Sequence, residues 1–303
     1  KHMNVPHNTV TAETKAAVLA EVLPYIRRFA GSVFVVKYGG NAMTGDDITG
    51  KVMADIALMK YVGIRPVIVH GGGPDITAWL ERVGKKSDFI GGLRITDAET
   101  AAIAEMVLVG KINSAIVDGL NRHGVRAVGL SGKDAHFIRA RKKAGTVHDA
   151  DGGTRSVDIG YVGSVAHIDT GLIEDLLARD YVPVVAPIGC GTAGETYNIN
   201  ADTVAAALAG ALRAEKLLLL TNVAGIYRDI NDPAGPVSTL RADEARAWIA
   251  DGTIGGGMIP KVEACLSALT GGAHKAHIID GRLEHAIILE LFTSTGIGTQ
   301  LEP

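Results

Sequence analysis

Near-continuous apolar runs recur along the chain, each closing on small or polar residues. "SVFVVKY" (32–38), "RPVIVH" (65–70), "VRAVGLSG" (125–132), "YVPVVAPIG" (181–189) and "KLLLLT" (216–221) read as strands buried on both faces. "AHIIDG" (276–281) reads as a short last strand. Segments of helical period separate them. Ile48, Val52, Ile56 and Met59 share one face of a helix over Asp46–Tyr61. Residues 97–122 form a longer helix, opened by a capping box of Thr96 with Glu99. Asn200 caps a helix beginning "ADTVAAALA", and Pro260 suits the first turn of another in "PKVEACLSAL". "TAETKAAVLAEVLPYIRRFAG" (11–31) supplies a helix ahead of the first strand. This alternation predicts an α/β fold, a three-layer αβα sandwich around a mainly parallel sheet.

Two segments interrupt the rhythm. Residues 85–96 and 136–165 read as hairpins, the second with a polar, mobile tip at 149–154. No internal repeat is present. The expected organisation is an N-terminal extension with its helix (1–30), an N-terminal lobe (31–190) and a C-terminal lobe (191–303). The lobe boundary falls near residues 187–194, without a free linker.

Composition narrows the functional classes. The 303 residues carry a formal net charge of −3 and no basic stripe, which argues against a nucleic-acid partner. The 2 cysteines, Cys190 and Cys265, are far apart and outside any CxxC spacing, so a disulfide scaffold or zinc site is not expected and a reducing cytoplasm is. No apolar run reaches the roughly 18 residues of a membrane span. The opening "KHMNVPHNTV" lacks the apolar core of a signal peptide; "KH" reads as a cloning remnant before Met3.

Chemistry concentrates at the strand ends, where open parallel sheets bind ligands. Lys37, the run Gly71-Gly72-Gly73 and Ser131-Gly132-Lys133 all lie there. Glycine lets backbone N–H groups approach an anion, although any one pair equally makes a tight turn. "GDDITGKV" (45–52) nearly matches a P-loop, but Val52 replaces the required hydroxyl and the stretch lies within a helical pattern. "GCGTAG" (189–194) matches a dinucleotide fingerprint with Glu215 at the distance of a ribose acid. It fails on context, because "ETYNIN" separates it from the next helix.

Two lysines suit phosphoryl transfer, which needs fixed positive charge more than covalent help. Lys37 ends a strand, and Lys261 follows Pro260 at a helix start, after Gly255-Gly256-Gly257, which reads as a flap. A solvated lysine is the plain alternative for Lys261. Asp202, in the first turn after Asn200, either favours the helix dipole or holds both ammoniums. Asn198 suits a polar substrate. Arg94 offers a fork for a carboxylate, or is solvated on its hairpin. Gly225 and Tyr227 suit a nucleotide rim or a simple turn.

Together "VVKYGGNAM", "VIVHGGGPDI", "GLRITD", "YNINADTVAAALA", "LLLLTNVAGIY" and "GGMIPKVEACLSAL" resemble the amino acid kinase family over nearly the whole chain. "GLRIT" with "NINAD" points to its branch acting on N-acetyl-L-glutamate. The resemblance implies a carbamate kinase-like fold and MgATP-dependent phosphorylation of that substrate's γ-carboxylate, the second step of arginine biosynthesis. It implies that Lys37 and Lys261 stabilise the transferring group, that Asp202 orients them, and that Gly40 and Gly73 supply N–H donors. Gly72, Gly73, Arg94 and Asn198 would bind the acyl substrate. Thr221, Gly225, Tyr227 and Met258 would bind nucleotide, with Mg²⁺ held mainly by the ATP phosphates and no protein metal site.

The likeness also implies inhibition by arginine, bound by Tyr25, Lys216, His277, Glu290, Gly296 and Gly298. Glu290 could pair with a guanidinium. A homo-hexamer, a trimer of dimers, is implied through the N-terminal helix; Val18, Val22, Leu23 and Ile26 could pack on another subunit or on their own core. Rival readings are a kinase of glutamate, aspartate, carbamate or UMP, an arginine sensor without turnover, and an NAD-dependent enzyme. Presence of Lys37, Lys261 and Asp202 disfavours the sensor.

Overall fold

The structure, a computed structural model, describes residues 11–39, 46–148, 153–230 and 235–303. Gly40, Gly45 and residues 149–152 of the expected tip at 149–154 lie outside them. The chain opens with α1 (Ala12–Phe29), β1 (Val33–Tyr38), α2 (Asp46–Tyr61), β2 (Arg65–His70) and α3 (Gly73–Arg82). A short hairpin, β3 (Phe89–Ile90) and β4 (Leu93–Arg94), precedes one long helix. That helix comprises α4 (Ala98–Glu105), a π-helical segment Met106–Asn113, and α5 (Ser114–Arg122). Then come β5 (Ala127–Ser131), β6 (Ile138–Lys142), β7 (Gly145–His148), β8 (Thr154–Val157), β9 (Val162–Ile168) and α6 (Gly171–Ala178). β10 (Val182–Ala186), β11 (Ile188–Cys190), β12 (Thr196–Ile199) and α7 (Ala201–Ala211) follow. The last part holds β13 (Lys216–Thr221), β14 (Thr239–Arg241), α8 (Ala242–Ala250), α9 (Ile259–Gly271), β15 (Lys275–Asp280), α10 (Ala286–Phe292) and β16 (Thr299–Glu302).

Eight strands make one sheet in the order β14-β16-β15-β13-β1-β2-β10-β5. All neighbours are parallel except β15 and β16. Because β1 pairs with both β2 and β13, the two halves of the chain share a continuous sheet. Alternate side chains divide the core. Val35, Val67, Val185 and Leu217 pack with α6, α7, α8 and α9; Phe34, Ile68, Val184 and Leu218 pack with α2 to α5 and α10. This is the expected three-layer αβα sandwich. A smaller closed set, β11-β12-β9-β6, sits beside it, and β7 with β8 forms the predicted second hairpin.

The structure corrects several local expectations. The long helix is capped by Asp97, whose carboxylate accepts the Thr100 N–H at 2.8 Å, rather than by a Thr96–Glu99 box. Thr96 instead bridges to Gly160 and donates its hydroxyl to the Arg94 carbonyl. The last strand is β16, not 276–281; four residues of mixed polarity gave no pattern to read. Among the described residues, Ala98–Arg122 is long and apolar enough by length and composition to cross a bilayer, with mean hydropathy 1.5 and half of that window buried in the fold. Glu105 and Lys111 interrupt its apolar run.

Both decoy motifs fail structurally. Val52 is buried inside α2. Residues 189–194 run from β11 through a turn towards its antiparallel partner β12, not into a helix.

Candidate active site

Lys37 is the fifth residue of β1 and lies on the same face as Val35, the face covered by α7 and α9. The two-residue period of a strand therefore aims its ammonium at the start of α7. Asn200 caps that start by accepting the Thr203 N–H at 3.1 Å, and Asp202 stands in the first turn. Lys37 Nζ lies 2.9 Å from Asp202 Oδ1, and Lys261 Nζ lies 3.2 Å from Asp202 Oδ2. Burial pushes the Asp202 carboxyl upward, but the two ammoniums outweigh it and hold the group below its ordinary range. Two cations against one anion leave net positive charge.

Lys261 reaches Asp202 because α7 and α9 run side by side. A Cβ at Gly210 would sit 3.0 Å from Gly271 Cα, so the glycine pair permits this close approach. The helices meet at Lys261–Asp202 at one end and Gly210–Gly271 at the other, so they are parallel. Their N-terminal ends therefore lie at the same end of the pair.

The glycine turns after β1 and β2 abut. Gly71 donates its N–H to the Tyr38 carbonyl at 2.8 Å, and a Cβ at Gly39 would lie 2.9 Å from Gly71 N. Gly73 and Pro74 then open α3. Arg94 is 7% exposed, not solvated as a hairpin arginine would be. It donates to the Gly73 carbonyl at 2.9 Å, to Thr77 Oγ1 at 2.8 Å and to Ser87 Oγ, with its guanidinium 4.7 Å from the Phe89 ring centroid. Burial lowers its pKa. Asn198, on β12, pairs with Ile188 and Val162. A cleft of about 260 Å³ gathers Lys37, Gly72, Gly73, Arg94, Asn198 and Asp202. Its lining carries the Lys37 ammonium, the Asp202 carboxylate and the Arg94 guanidinium.

Residues 32–280 match the model of the amino acid kinase family. The chain belongs to the amino acid kinase family. It is 54% identical to acetylglutamate kinase of Pelotomaculum thermopropionicum over 288 residues, 95% of this chain and 98% of that protein. It is also 54% identical to acetylglutamate kinase of Moorella thermoacetica over 295 residues, 97% and 99% of the two chains. Among solved structures, N-acetylglutamate synthase from Neisseria gonorrhoeae with coenzyme A and N-acetyl-glutamate matches at TM-score 0.80 and 29% identity, over 95% of this chain. The same synthase with coenzyme A and L-arginine matches at TM-score 0.76 and 27% identity, again over 95% of this chain. The chain spans 63% and 65% of those two synthase chains. Carbamate kinase from Giardia lamblia bound to AMP-PNP, at TM-score 0.64 and 18% identity over 90% of this chain and 99% of that one, shares the fold.

The kinase has two further cavities where its sequence pointed. Gly225, Tyr227 and Met258 line one of about 510 Å³, with Ile254 and Gly255. Thr221 does not line it; it is buried at the end of β13, and its hydroxyl accepts the Val223 N–H at 3.0 Å. Among the described residues no group of three or more His, Cys, Asp or Glu could hold a metal.

The other cavity, also about 510 Å³, gathers Tyr25, Lys216, His277, Glu290, Gly296 and Gly298. Lys216 Nζ donates to His277 Nε2 at 3.0 Å, so the imidazole proton sits on Nδ1 and is donated to Glu290 Oε1 at 2.5 Å. Glu290 Oε2 accepts the N–H groups of Ile297 at 2.7 Å and Gly298 at 3.1 Å. Burial raises the Glu290 carboxyl, but His277 and these N–H groups bring it below its ordinary value. Burial depresses His277 and brings Lys216 down to about 8.

On α1, Val22, Tyr25 and Ile26 pack against the core, whereas Val18 and Leu23 are exposed. The expected apolar face is thus split between core and surface. Sequence reasoning missed His70, Asn113 and the π-helical segment. The histidine before the glycine run was a visible signal; nothing in the residue pattern marks a π-helix.

Proposed function

We propose that this kinase transfers the γ-phosphoryl group of MgATP to the γ-carboxylate of N-acetyl-L-glutamate, giving N-acetyl-L-glutamyl 5-phosphate for arginine biosynthesis. The observation that carries this reading is the Lys37–Asp202–Lys261 cluster, whose Lys37 and Asp202 line a cleft that also holds Arg94. The names of the curated relatives support it. The N-terminal lobe (31–190) would hold the acyl substrate and the C-terminal lobe (191–303) the nucleotide, with residues 1–30 as an extension.

In this reading Arg94 takes the α-carboxylate and Asn198 a polar group of the acyl chain. The γ-carboxylate is already ionised, so no general base is needed. Two anions must be brought together in line, and Lys37 and Lys261 neutralise charge on the transferring group as it moves. Asp202 keeps both ammoniums in register. Gly40, Gly72 and Gly73 supply N–H donors. Asp202 already serves two lysines, so Mg²⁺ would travel on the ATP phosphates, near Gly225, Tyr227 and Met258; Thr221 would shape that turn from below.

We further infer that arginine inhibits the kinase through the cavity of Tyr25, Lys216, His277, Glu290, Gly296 and Gly298. Their convergence supports the reading. The exposed Val18, Leu19 and Leu23 of α1 support contact with another copy, in a hexamer built as a trimer of dimers. The two cysteines are free and buried, which suits a reducing cytoplasm.

The test traps the acyl phosphate with hydroxylamine. The protein and MgATP receive N-acetyl-L-glutamate, glutamate or aspartate separately, each with and without arginine. Hydroxamate from N-acetyl-L-glutamate alone, suppressed by arginine, is the expected result. Product from another acid instead overturns the substrate, and product insensitive to arginine overturns the regulation.

A further inference from the structure

His70 is fully buried at the end of β2, one residue before the glycine turn that lines the cleft. Its Nδ1 lies 2.9 Å from the Gly71 carbonyl oxygen, and its Nε2 lies 3.1 Å from Nδ2 of Asn113. Asn113 is the last residue of the π-helical segment and is itself 3% exposed. Its Nδ2 also donates to the Val184 carbonyl on β10 at 2.9 Å.

These contacts fix the proton positions. A carbonyl oxygen can only accept, so the Asn113 atom facing Val184 must be the amide nitrogen. That nitrogen has a second N–H, and it points at His70 Nε2. Nε2 must then be the unprotonated acceptor, which leaves the imidazole proton on Nδ1 to be donated to the Gly71 carbonyl. Burial keeps the ring neutral, with its pKa pushed down to about 4. Each polar atom of the ring is satisfied in this tautomer alone.

The consequence lies in the next peptide unit. In a trans peptide the C=O of Gly71 and the N–H of Gly72 point in opposite directions. Gly72 N–H finds no hydrogen-bond partner among the described residues. We propose that His70 is a positioning residue for the transfer: by holding the Gly71 carbonyl inward, it turns the Gly72 N–H outward to the cleft as a fixed donor for the reacting oxygens. This rests on the proposed reaction for its catalytic meaning, not for its geometry.

The surroundings are shaped to the same end. A Cβ at Gly72 would lie 2.4 Å from Ile112 Cδ1 and 2.6 Å from Leu108 Cδ2, so the π-helical segment that delivers Asn113 also backs the turn. A Cβ at Gly129 would lie 1.9 Å from Asn113 Oδ1, so glycine there makes room for the carboxamide. A π-helical register is a recognised way of placing one side chain at a functional site.

Two experiments test this. The first reads the wild-type imidazole by ¹⁵N NMR between about pH 5.5 and 8.5. A His70 ring protonated on Nδ1 throughout is expected; a proton on Nε2, or titration in this range, overturns the proposal. The second compares His70→Asn, whose amide nitrogen replaces Nδ1, with His70→Gln, whose amide nitrogen replaces Nε2. His70→Gln is expected to lower kcat about 100-fold with little change in KM for either substrate, as for a lost donor to a developing charge. His70→Asn should recover at least about 10-fold of that loss. Equal losses in both variants, or losses that follow their melting temperatures, overturn it. If N-acetyl-L-glutamate is not the substrate, the tautomer measurement still decides the geometry; if neither variant folds, the same wild-type spectrum decides it.

Discussion

Asp202 and Lys261 are 59 residues apart in sequence and 3.2 Å apart in the fold. Lys37 approaches the same carboxylate at 2.9 Å from a third element. A strand end and two helix starts thus set three charges without help from a loop, which limits their motion and makes the cluster suited to catalysis.

Removing either ammonium is therefore expected to act on turnover more than on binding. Lys37→Ala and Lys261→Ala should each lower kcat by about 100-fold or more, with smaller changes in KM, measured by steady-state kinetics with MgATP and N-acetyl-L-glutamate. Unchanged turnover in both would remove these residues from the mechanism.

Arg94 is expected to act on affinity. Arg94→Lys keeps the charge but loses the fork that spans Gly73, Thr77 and Ser87. KM for the acyl substrate should rise by about 10-fold to 100-fold, from one charged hydrogen bond, while KM for ATP stays near that of the unaltered kinase. An equal rise in both KM values would contradict an acyl-specific contact.

Glu290 ties α10 to the loop at 296–298 through two N–H groups. Glu290→Ala should leave catalysis largely intact and raise the arginine concentration for half-inhibition by at least about 10-fold, the loss of one charge-assisted contact. An inhibition curve that overlays that of the unaltered protein would exclude this cavity as the arginine site.

Lys216 offers a pH-dependent stability test. Burial depresses its pKa from 10.5 to about 8, so the unfolded chain binds the proton more tightly than the folded one. This cost to folding is complete below about pH 8 and disappears as pH rises towards 10.5. Lys216→Met, apolar and of similar length, should therefore be more stable at pH 7 by roughly 1 kcal/mol or more in denaturant unfolding, with the gain shrinking above pH 8. A gain that grows with pH would reverse the assigned sign.

Local chemistry was readable where it depends on near neighbours. The helix Asp46–Tyr61 follows from apolar spacing, the Asn200 cap from its position before "ADTV", and the failure of residues 189–194 as a dinucleotide site from the strand that follows. Arg94 was harder. Its hairpin gave no sign of burial, because Gly73 and Thr77, which cover the guanidinium, belong to α3 and not to the hairpin. Thr96 was misread as a cap for a related reason: the bridge to Gly160 fixes its backbone and leaves Asp97 to cap the helix.

By itself the sequence determined the alternation of strands and helices, the glycine turns at strand ends, and which residue types stood ready for charge stabilisation. These depend on side-chain period and on backbone sterics, both local. Only the tertiary structure decided that Lys37, Asp202 and Lys261 share one point, and that His70, Asn113 and Val184 form one hydrogen-bonded set. Such meetings depend on sheet order, on the close packing of α7 with α9 at Gly210 and Gly271, and on a π-helical turn that shifts register. None of these leaves a period in the chain, because each is set by contacts between residues far apart in it.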